Sequence, residues 1–174
     1  MYGGDKTRRR RRTYKKTHCN KQKNAIAVLD MKPVKGIVEF VKASYNKVTV
    51  KYDITGLTDG KHGFHIHQYG DLSDGCTSAC SHFNPDNVDH GGPHSTVRHA
   101  GDLGNIVAIN CRAKGTVTVN GLSLDPKSKR SIIGRAIIVH EDADDLGKGG
   151  DAESKKTGNA GARICCAVIG FTSI

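Results

Sequence analysis

Apolar and polar residues alternate with a period of two in several short stretches of the chain, which is the pattern of half-buried β-strands. Residues 47–54, for example, read Lys-Val-Thr-Val-Lys-Tyr-Asp-Ile, so every second side chain is apolar. No stretch shows the period of an amphipathic helix. Eight strands are predicted, at residues 25–31, 36–43, 47–54, 63–68, 105–110, 116–120, 132–140 and 164–171.

Eight short strands within about 150 residues predict an all-β fold, specifically an eight-stranded antiparallel Greek-key barrel or sandwich. Two long segments without strand character, 69–102 and 141–163, are rich in Gly, Asp, His and Ser. Connections of this length are uncommon in compact domains unless they carry function. The sequence therefore predicts two long functional loops.

Positive charge is concentrated at the start of the chain. The formal net charge is +10 at pH 7, but residues 1–24 hold ten Lys and Arg against one acidic residue. This predicts a basic, flexible tail over residues 1–24 and one nearly neutral domain over residues 25–174. The tail is compatible with binding to nucleic acid, an anionic surface or a nuclear import receptor, and also with a purely solubilising role. Because it lacks the apolar core of a signal peptide, we expect a cytoplasmic protein.

Histidines are concentrated in the predicted loops and in the strand before the first loop. His65 and His67 lie two residues apart on a predicted strand, so their imidazoles share a face, about 7 Å apart. Further candidate ligands follow at His82, His90, His99, Asp102 and His140. Imidazoles suit copper and zinc, and an added carboxylate favours zinc over copper(I). The number of candidates predicts two neighbouring metal ions.

The chain contains several ordered motifs, which are GFHIHQYGD (63–71), HFNP (82–85), HGGP (90–93), RHAGDLGN (98–105), IIGR (132–135), VHE (139–141), ADDLGKGG (143–150) and KTGNAGAR (156–163). Together they resemble the motifs of the copper/zinc superoxide dismutase family, eukaryotic cytosolic type. The resemblance covers about residues 25–174 and excludes the tail. His18, His62 and His94 match none of the family's ligands and are expected at the surface.

The resemblance implies one copper and one zinc ion per subunit. Copper would be bound by His65, His67, His82 and His140, and zinc by His82, His90, His99 and Asp102. His82 would bridge the two ions as an imidazolate, a state that two cations favour. Asp144 matches a carboxylate that accepts hydrogen bonds from His65 and His90 and so fixes their tautomers.

The resemblance also implies the reaction, which is disproportionation of superoxide to oxygen and hydrogen peroxide by copper redox cycling, a protection against reactive oxygen species. His82 would leave copper on reduction, take up a proton and deliver it to the peroxide being formed. Arg163 matches the arginine that orients the anion beside copper. Thr157 matches a residue that narrows the channel.

Charged residues near the end of the second loop match positions that guide superoxide, and superoxide dismutase is itself a standard example of electrostatic steering. Lys156 and Glu153 hold these positions, with plain solvated loop charges as the alternative. Asp142 stands where relatives often carry Lys, which predicts weaker or redistributed steering. A catalytically silent relative, acting as a metal-binding or interaction module, is the alternative function.

Six cysteines occur, and none forms a CxxC pair. The resemblance implies a disulfide between Cys76 and Cys166. Cys165 offers a competing partner for Cys76, although adjacent residues of a strand face opposite ways and only one can face the loop. The remaining cysteines are Cys80, which is unusual in the family, and Cys19 and Cys111, which are expected to be free thiols.

The partners implied are superoxide, a second copy of the chain in a homodimer, and a copper chaperone. The segments that match the family's dimer interface are 69–71, 132–134 and 168–171. Nucleic acid or another anionic surface would bind through the tail alone.

Overall fold

The computed structural model describes residues 24–44 and 46–173, so nearly all of the predicted tail, with His18 and Cys19, lies outside the described residues. Nine strands form within them. They are β1 Ala25–Met31, β2 Val34–Ser44, β3 Lys47–Thr55, β4 Gly60–His67, β5 Asp102–Ala108, β6 Arg112–Asn120, β7 Ala136–His140, β8 Arg163–Val168 and β9 Gly170–Phe171. One 3-10 turn, Thr77–Ala79, is the sole helical element of the described part. The all-β prediction is confirmed.

The strands form two antiparallel sheets. One has the order β6-β3-β2-β1-β9 and the other the order β5-β4-β7-β8. The chain crosses from the first sheet to the second between β3 and β4 and again between β6 and β7, which leaves consecutive strands apart in space. This is the predicted Greek-key sandwich.

One predicted strand is shorter than expected and another is divided, while the others begin and end within four residues of the predicted limits. The segment 132–140 is extended only from Ala136, because Ile132 and Arg135 close a turn through an N–H···O bond of 3.2 Å. The segment 164–171 is divided at Ile169, whose N–H bonds the carbonyl of Arg135 at 2.8 Å. Its first part pairs with β7 and its second part with β1. The last segment of the chain therefore contacts both sheets, which makes nine strands from eight predicted segments.

The core lies between the sheets, and period two decides which side chains enter it. In β4, Phe64 and Ile66 are fully buried in this core. His65 and His67 therefore point to the outer face of the sheet, where the long loops cover them. In β7, Ile137 and Val139 enter the core, so His140 shares the outer face with the two histidines of β4.

The first long loop is fixed to β4 by backbone hydrogen bonds. The N–H of Ile66 donates to Gly101 at 2.9 Å, and the N–H of Phe83 donates to Ile66 at 2.8 Å. Gly101 in turn donates to the carbonyl of Phe83 at 2.9 Å. His82 and His99, which flank these contacts, are thereby held against the outer face of the second sheet.

Candidate metal centre

Four imidazoles converge on the outer face of the second sheet. His65 and His67 come from β4, His140 from the end of β7 and His82 from the first long loop. All four are buried, and one ring nitrogen from each lies within 4.8 Å of the others. The side chains that the sequence predicts as copper ligands are therefore brought together.

Three of these imidazoles each keep one nitrogen without a hydrogen-bond partner. The atoms are Nδ1 of His65, Nε2 of His67 and Nε2 of His140, and all are buried. The opposite nitrogens face acceptors: Asp144 Oδ2 at 2.8 Å from His65, the Cys80 carbonyl at 2.8 Å from His67 and the Gly161 carbonyl at 3.2 Å from His140. Because the ring N–H donates to these acceptors, the unpartnered nitrogens carry lone pairs, which is the state that binds a metal.

The second cluster is centred on Asp102 at the start of β5. Its Oδ1 atom lies 3.0 Å from Nδ1 of His82, 3.0 Å from Nδ1 of His90 and 3.2 Å from Nδ1 of His99. A tetrahedral ion with bonds of about 2.0 Å has ligand–ligand distances of about 3.3 Å. The spacing of these four donors therefore fits a zinc ion.

His82 belongs to both clusters. Its Nδ1 faces Asp102 and also lies 3.4 Å from Nδ1 of His99. This leaves Nε2 as the atom available to the first cluster, with His65 at a ring-centroid distance of 4.1 Å. One imidazole thus connects the two groups, as the resemblance implies.

Asp144, from the second long loop, is hydrogen-bonded to both clusters. Its side chain is inaccessible to solvent, and its two oxygens accept from Nε2 of His65 and Nε2 of His90, each at 2.8 Å. The backbone N–H of Asp144 and the amide of Asn105 fix the loop to β5 through two further bonds of 2.8 Å. A single carboxylate therefore orients one imidazole of each cluster.

The two clusters differ in the pKa shifts of their side chains. Burial lowers the pKa of His65 to about 3 and that of His140 to about 4, so both imidazoles are neutral at neutral pH. Burial alone would raise the pKa of Asp102, but hydrogen bonds from three imidazoles bring it below its usual range. Burial opposes charge on His90 as well, yet Asp102 and Asp144 together raise its pKa to about 9. The second cluster, centred on Asp102, therefore has the more negative electrostatic potential.

A cleft of about 970 Å³ opens onto the first cluster, and His67, His82 and His140 form part of its wall. Arg163 and Thr157 line it too. Arg163 donates from Nη1 to the carbonyls of Cys76 at 2.7 Å and Thr77 at 3.1 Å, which fixes the guanidinium at this wall. Thr157 donates from its hydroxyl to the Glu153 carbonyl at 3.1 Å.

The charges at the cleft wall sum to a small positive excess. Lys155, Lys156 and Arg163 are cations, and Glu153 and Asp89 are carboxylates. Lys156 pairs with Glu153 at 3.1 Å, and both side chains are largely exposed. Exposed pairs of this kind contribute little stability, and this pair adds no net charge to the cleft wall.

Asp142 is exposed and does not line this cleft. Its backbone accepts from Gly63 and donates to Ala160. Its carboxylate lies against Gly161, which lines the cleft.

Cys165 and Cys166 lie on opposite faces of β8. Cys166 points to the outer face and is joined to Cys76 in a disulfide across 90 residues. Cys165 is fully buried in the core between the sheets, so it faces away from the loop. Cys80 and Cys111 are free and exposed.

His62 does not lie at the surface, and that expectation is wrong. It is 1% exposed, with Nδ1 2.9 Å from the His140 carbonyl and Nε2 2.8 Å from the Thr58 carbonyl. Strand β4 begins at Gly60, before the predicted start, so period two places His62 on the same side as Phe64. The alternation of β4, extended back to Gly60, would have predicted that His62 is buried. His62 contacts the backbone of His140. His94 is exposed, as expected.

In the described residues, no helix is long and apolar enough to cross a bilayer.

Comparisons with known proteins agree on one family. The family model described as copper/zinc superoxide dismutase (SODC) matches residues 34–169. A Cu-Zn superoxide dismutase of Paramecium bursaria Chlorella virus 1 is 59% identical over 156 residues, covering 88% of this chain and 81% of that protein. Cu-Zn superoxide dismutase A of Xenopus laevis is 56% identical over 138 residues, covering 79% of this chain and 90% of that one.

A solved structure, described as a crystal structure analysis of the clock protein EA4, superposes with a TM-score of 0.81 at 47% identity. It covers 84% of this chain and 93% of that one. The two antiparallel sheets, the paired ligand clusters and these relatives lead to one conclusion. This chain belongs to the copper/zinc superoxide dismutase family.

Proposed function

We propose that this chain disproportionates superoxide to oxygen and hydrogen peroxide, with one copper and one zinc ion held in the two clusters that share His82. The observation that carries the proposal is the set of buried, unpartnered imidazole nitrogens. An unpaired polar atom in a protein interior is costly. Nδ1 of His65 and Nε2 of His67 and His140 meet at one point, which a metal ion would satisfy at once.

The first cluster has imidazole donors alone, a set that suits copper. Copper bound there supplies the one-electron redox couple that superoxide disproportionation requires. The protein contributes neutral donors of fixed tautomer, since the acceptors on Asp144, Cys80 and Gly161 hold the other ring protons. His82 has a further role, because its Nε2 can hold a proton and deliver it to the peroxide being formed.

The second cluster has three imidazoles and one carboxylate, a closed set that suits zinc. Because His82 offers Nδ1 to this cluster, zinc would hold the ring in place while Nε2 acts on the other side. His90 and Asp102 come from the loop and from β5, so binding also fixes the loop to the sheet. We assign zinc a role in orientation and structure.

Substrate approach is proposed to depend on the positive wall of the cleft. Arg163 would orient the superoxide anion beside the first cluster, since a guanidinium keeps its charge and presents fixed donors. Thr157 would limit the width of the opening. Lys156 and Glu153 would shape the field at its mouth, and the effect of each should weaken as salt screens it.

The test is metal content together with superoxide turnover on the purified chain. We expect one copper and one zinc per chain, and rapid turnover that declines with ionic strength. Copper binding without turnover would instead favour the silent metal-binding module. Failure to retain two metal ions would contradict the assignment of both clusters.

We further propose a homodimer that uses the outer face of β1, β2 and β8. Val28 and Ile37 pair across β1 and β2 and are 60% and 46% exposed. Val168 is 42% exposed and lines the same groove as Val28. An apolar strip of this kind is typical of a protein–protein contact. Sedimentation equilibrium should give twice the chain mass, and Val28→Asp should shift it to the single-chain mass.

We propose that this chain is a cytoplasmic enzyme. We propose that residues 1–24 form an accessory segment, outside the catalytic domain of residues 25–174. Fusing residues 1–24 to a fluorescent reporter tests whether they direct nuclear entry or anionic-surface binding. A copper chaperone is proposed as the donor of copper, to be tested by copper content in cells with and without one.

A further inference from the structure

Arg98 directly precedes His99, a member of the second cluster, in the sequence. Its guanidinium donates hydrogen bonds to several backbone carbonyls. Nη1 donates to the carbonyl of His99 at 2.7 Å, with longer contacts to Ala100 at 3.2 Å and Asp102 at 3.4 Å. Nη2 donates to the carbonyl of Asn120, the last residue of β6. One side chain therefore connects the segment 99–102 to a strand of the other sheet.

This segment carries two donors of the cluster. The N–H of His99 donates to Oδ2 of Asp102 at 2.7 Å, and the N–H of Asp102 donates to the carbonyl of His99 at 3.2 Å. The two residues thus form a closed turn in which each fixes the other. Arg98 contacts the carbonyls of that turn, those of His99 and Asp102 included.

The chemistry of the contact requires arginine. A guanidinium offers five N–H donors in one plane, so it can satisfy carbonyls that lie in several directions. The ammonium of lysine is a compact charge that reaches fewer of them with good geometry. Burial lowers the pKa of Arg98, and the nearby carboxylate of Asp102 opposes this. The cation therefore also balances the charge of the ligand carboxylate.

We propose that Arg98 is a positioning residue for the zinc site, setting the distance and orientation of His99 and Asp102 through their backbone. The inference rests on the proposed zinc site. No carbonyl contact of Arg98 involves the first cluster, whose donors come from β4, β7 and residue 82. Loss of Arg98 should therefore affect one cluster and not the other.

Arg130 provides a matched control. It lines the same groove as Arg98 and also holds a carbonyl, that of Gly121 at 3.4 Å. Its main partner is the carboxylate of Asp86, at 2.6 and 2.8 Å. Arg130→Ala removes a guanidinium from the same surface without touching the segment 99–102.

The experiment measures the rate of zinc release and the ligand geometry of the second cluster separately. Zinc release from the copper- and zinc-loaded protein into a chelator should be roughly 10–100-fold faster in Arg98→Ala, the range typical of lost outer partners of a metal ligand. Arg98→Lys should lie between Arg98→Ala and the wild type, and Arg130→Ala should match the wild type. Copper content should be unchanged in all three variants.

Cobalt(II) bound in the zinc position gives a visible absorption spectrum that reports ligand geometry. We expect an altered spectrum in Arg98→Ala, with partial recovery in Arg98→Lys. If Arg98 supported the fold alone, the variant would melt at lower temperature while its cobalt spectrum and zinc release stayed as in the wild type, and that result would overturn the inference. Should Arg98→Ala fail to fold, Arg98→Lys decides by the same two measurements. If the wild type itself bound no cobalt in the second cluster, the proposed zinc site would fail instead.

Discussion

Asp144 is the residue whose replacement tests the coupling of the two clusters most directly. In Asp144→Asn the shape of the side chain is kept, but one oxygen becomes an NH₂ group. The carboxylate of Asp144 accepts two imidazole N–H bonds, from His65 and His90, each at 2.8 Å. An amide has one oxygen to offer, so one of the two imidazoles must face a second donor.

The imidazole that faces the new NH₂ group can adopt two states, and both weaken metal binding. Either its N–H remains without an acceptor, which costs about 1–3 kcal/mol in a buried site, or its proton moves to the nitrogen that should bind the metal. The loss of an outer carboxylate typically lowers metal affinity about 10–100-fold, equivalent to about 1.4–2.7 kcal/mol. The negative charge that balances the metal ions is lost as well.

The assay titrates metal-free protein with zinc and then with copper, in competition with a chelator of known affinity. Circular dichroism verifies that the variant is folded. Asp142→Asn is the matched control, because it makes the same chemical change on an exposed residue of the same loop. Wild-type affinity for both metals in Asp144→Asn would refute the argument that this carboxylate fixes the ligands.

Three further outcomes are expected. Arg163→Ala should lower kcat/KM for superoxide about tenfold or more through loss of steering, while metal analysis still finds copper and zinc near one each per chain; an equal loss of metal would mean that the residue has a structural role instead. Cys166→Ser should lower the free energy of unfolding by about 2–5 kcal/mol in urea titrations, and peptide mapping should find no replacement bond between the freed Cys76 and Cys165, because the Cys165 thiol is buried in the core. Deletion of residues 1–24 should leave turnover within error of the full chain, and a large loss would contradict the accessory role of the tail.

Period-two alternation predicts the strands, because a strand with one face in a core must alternate, whereas the order of the strands in the two sheets comes from the structure. The same rule placed His65 and His67 on one face and would have placed His62 on the other, had the strand been extended to Gly60. Strand ends are harder to predict, since they depend on contacts with distant residues. Ile169 ends β8 because its backbone bonds Arg135, and nothing in the local sequence contains that information.

The chain by itself determined the fold class, the eight extended segments and, through its motifs, the candidate ligands from His65 to His140. Ligand identity is a property of residue type and spacing, so it can be recognised in one dimension. The tertiary structure alone decided which nitrogen of each imidazole is left free, and it placed Cys166, the partner implied by the resemblance, on the face toward the loop. It also brought Arg98 onto the carbonyls of the turn at residues 99–102, which carries the proposed zinc ligands His99 and Asp102. These features arise where segments far apart in sequence meet, and hydrogen-bond partners of that kind exist only after the chain has folded.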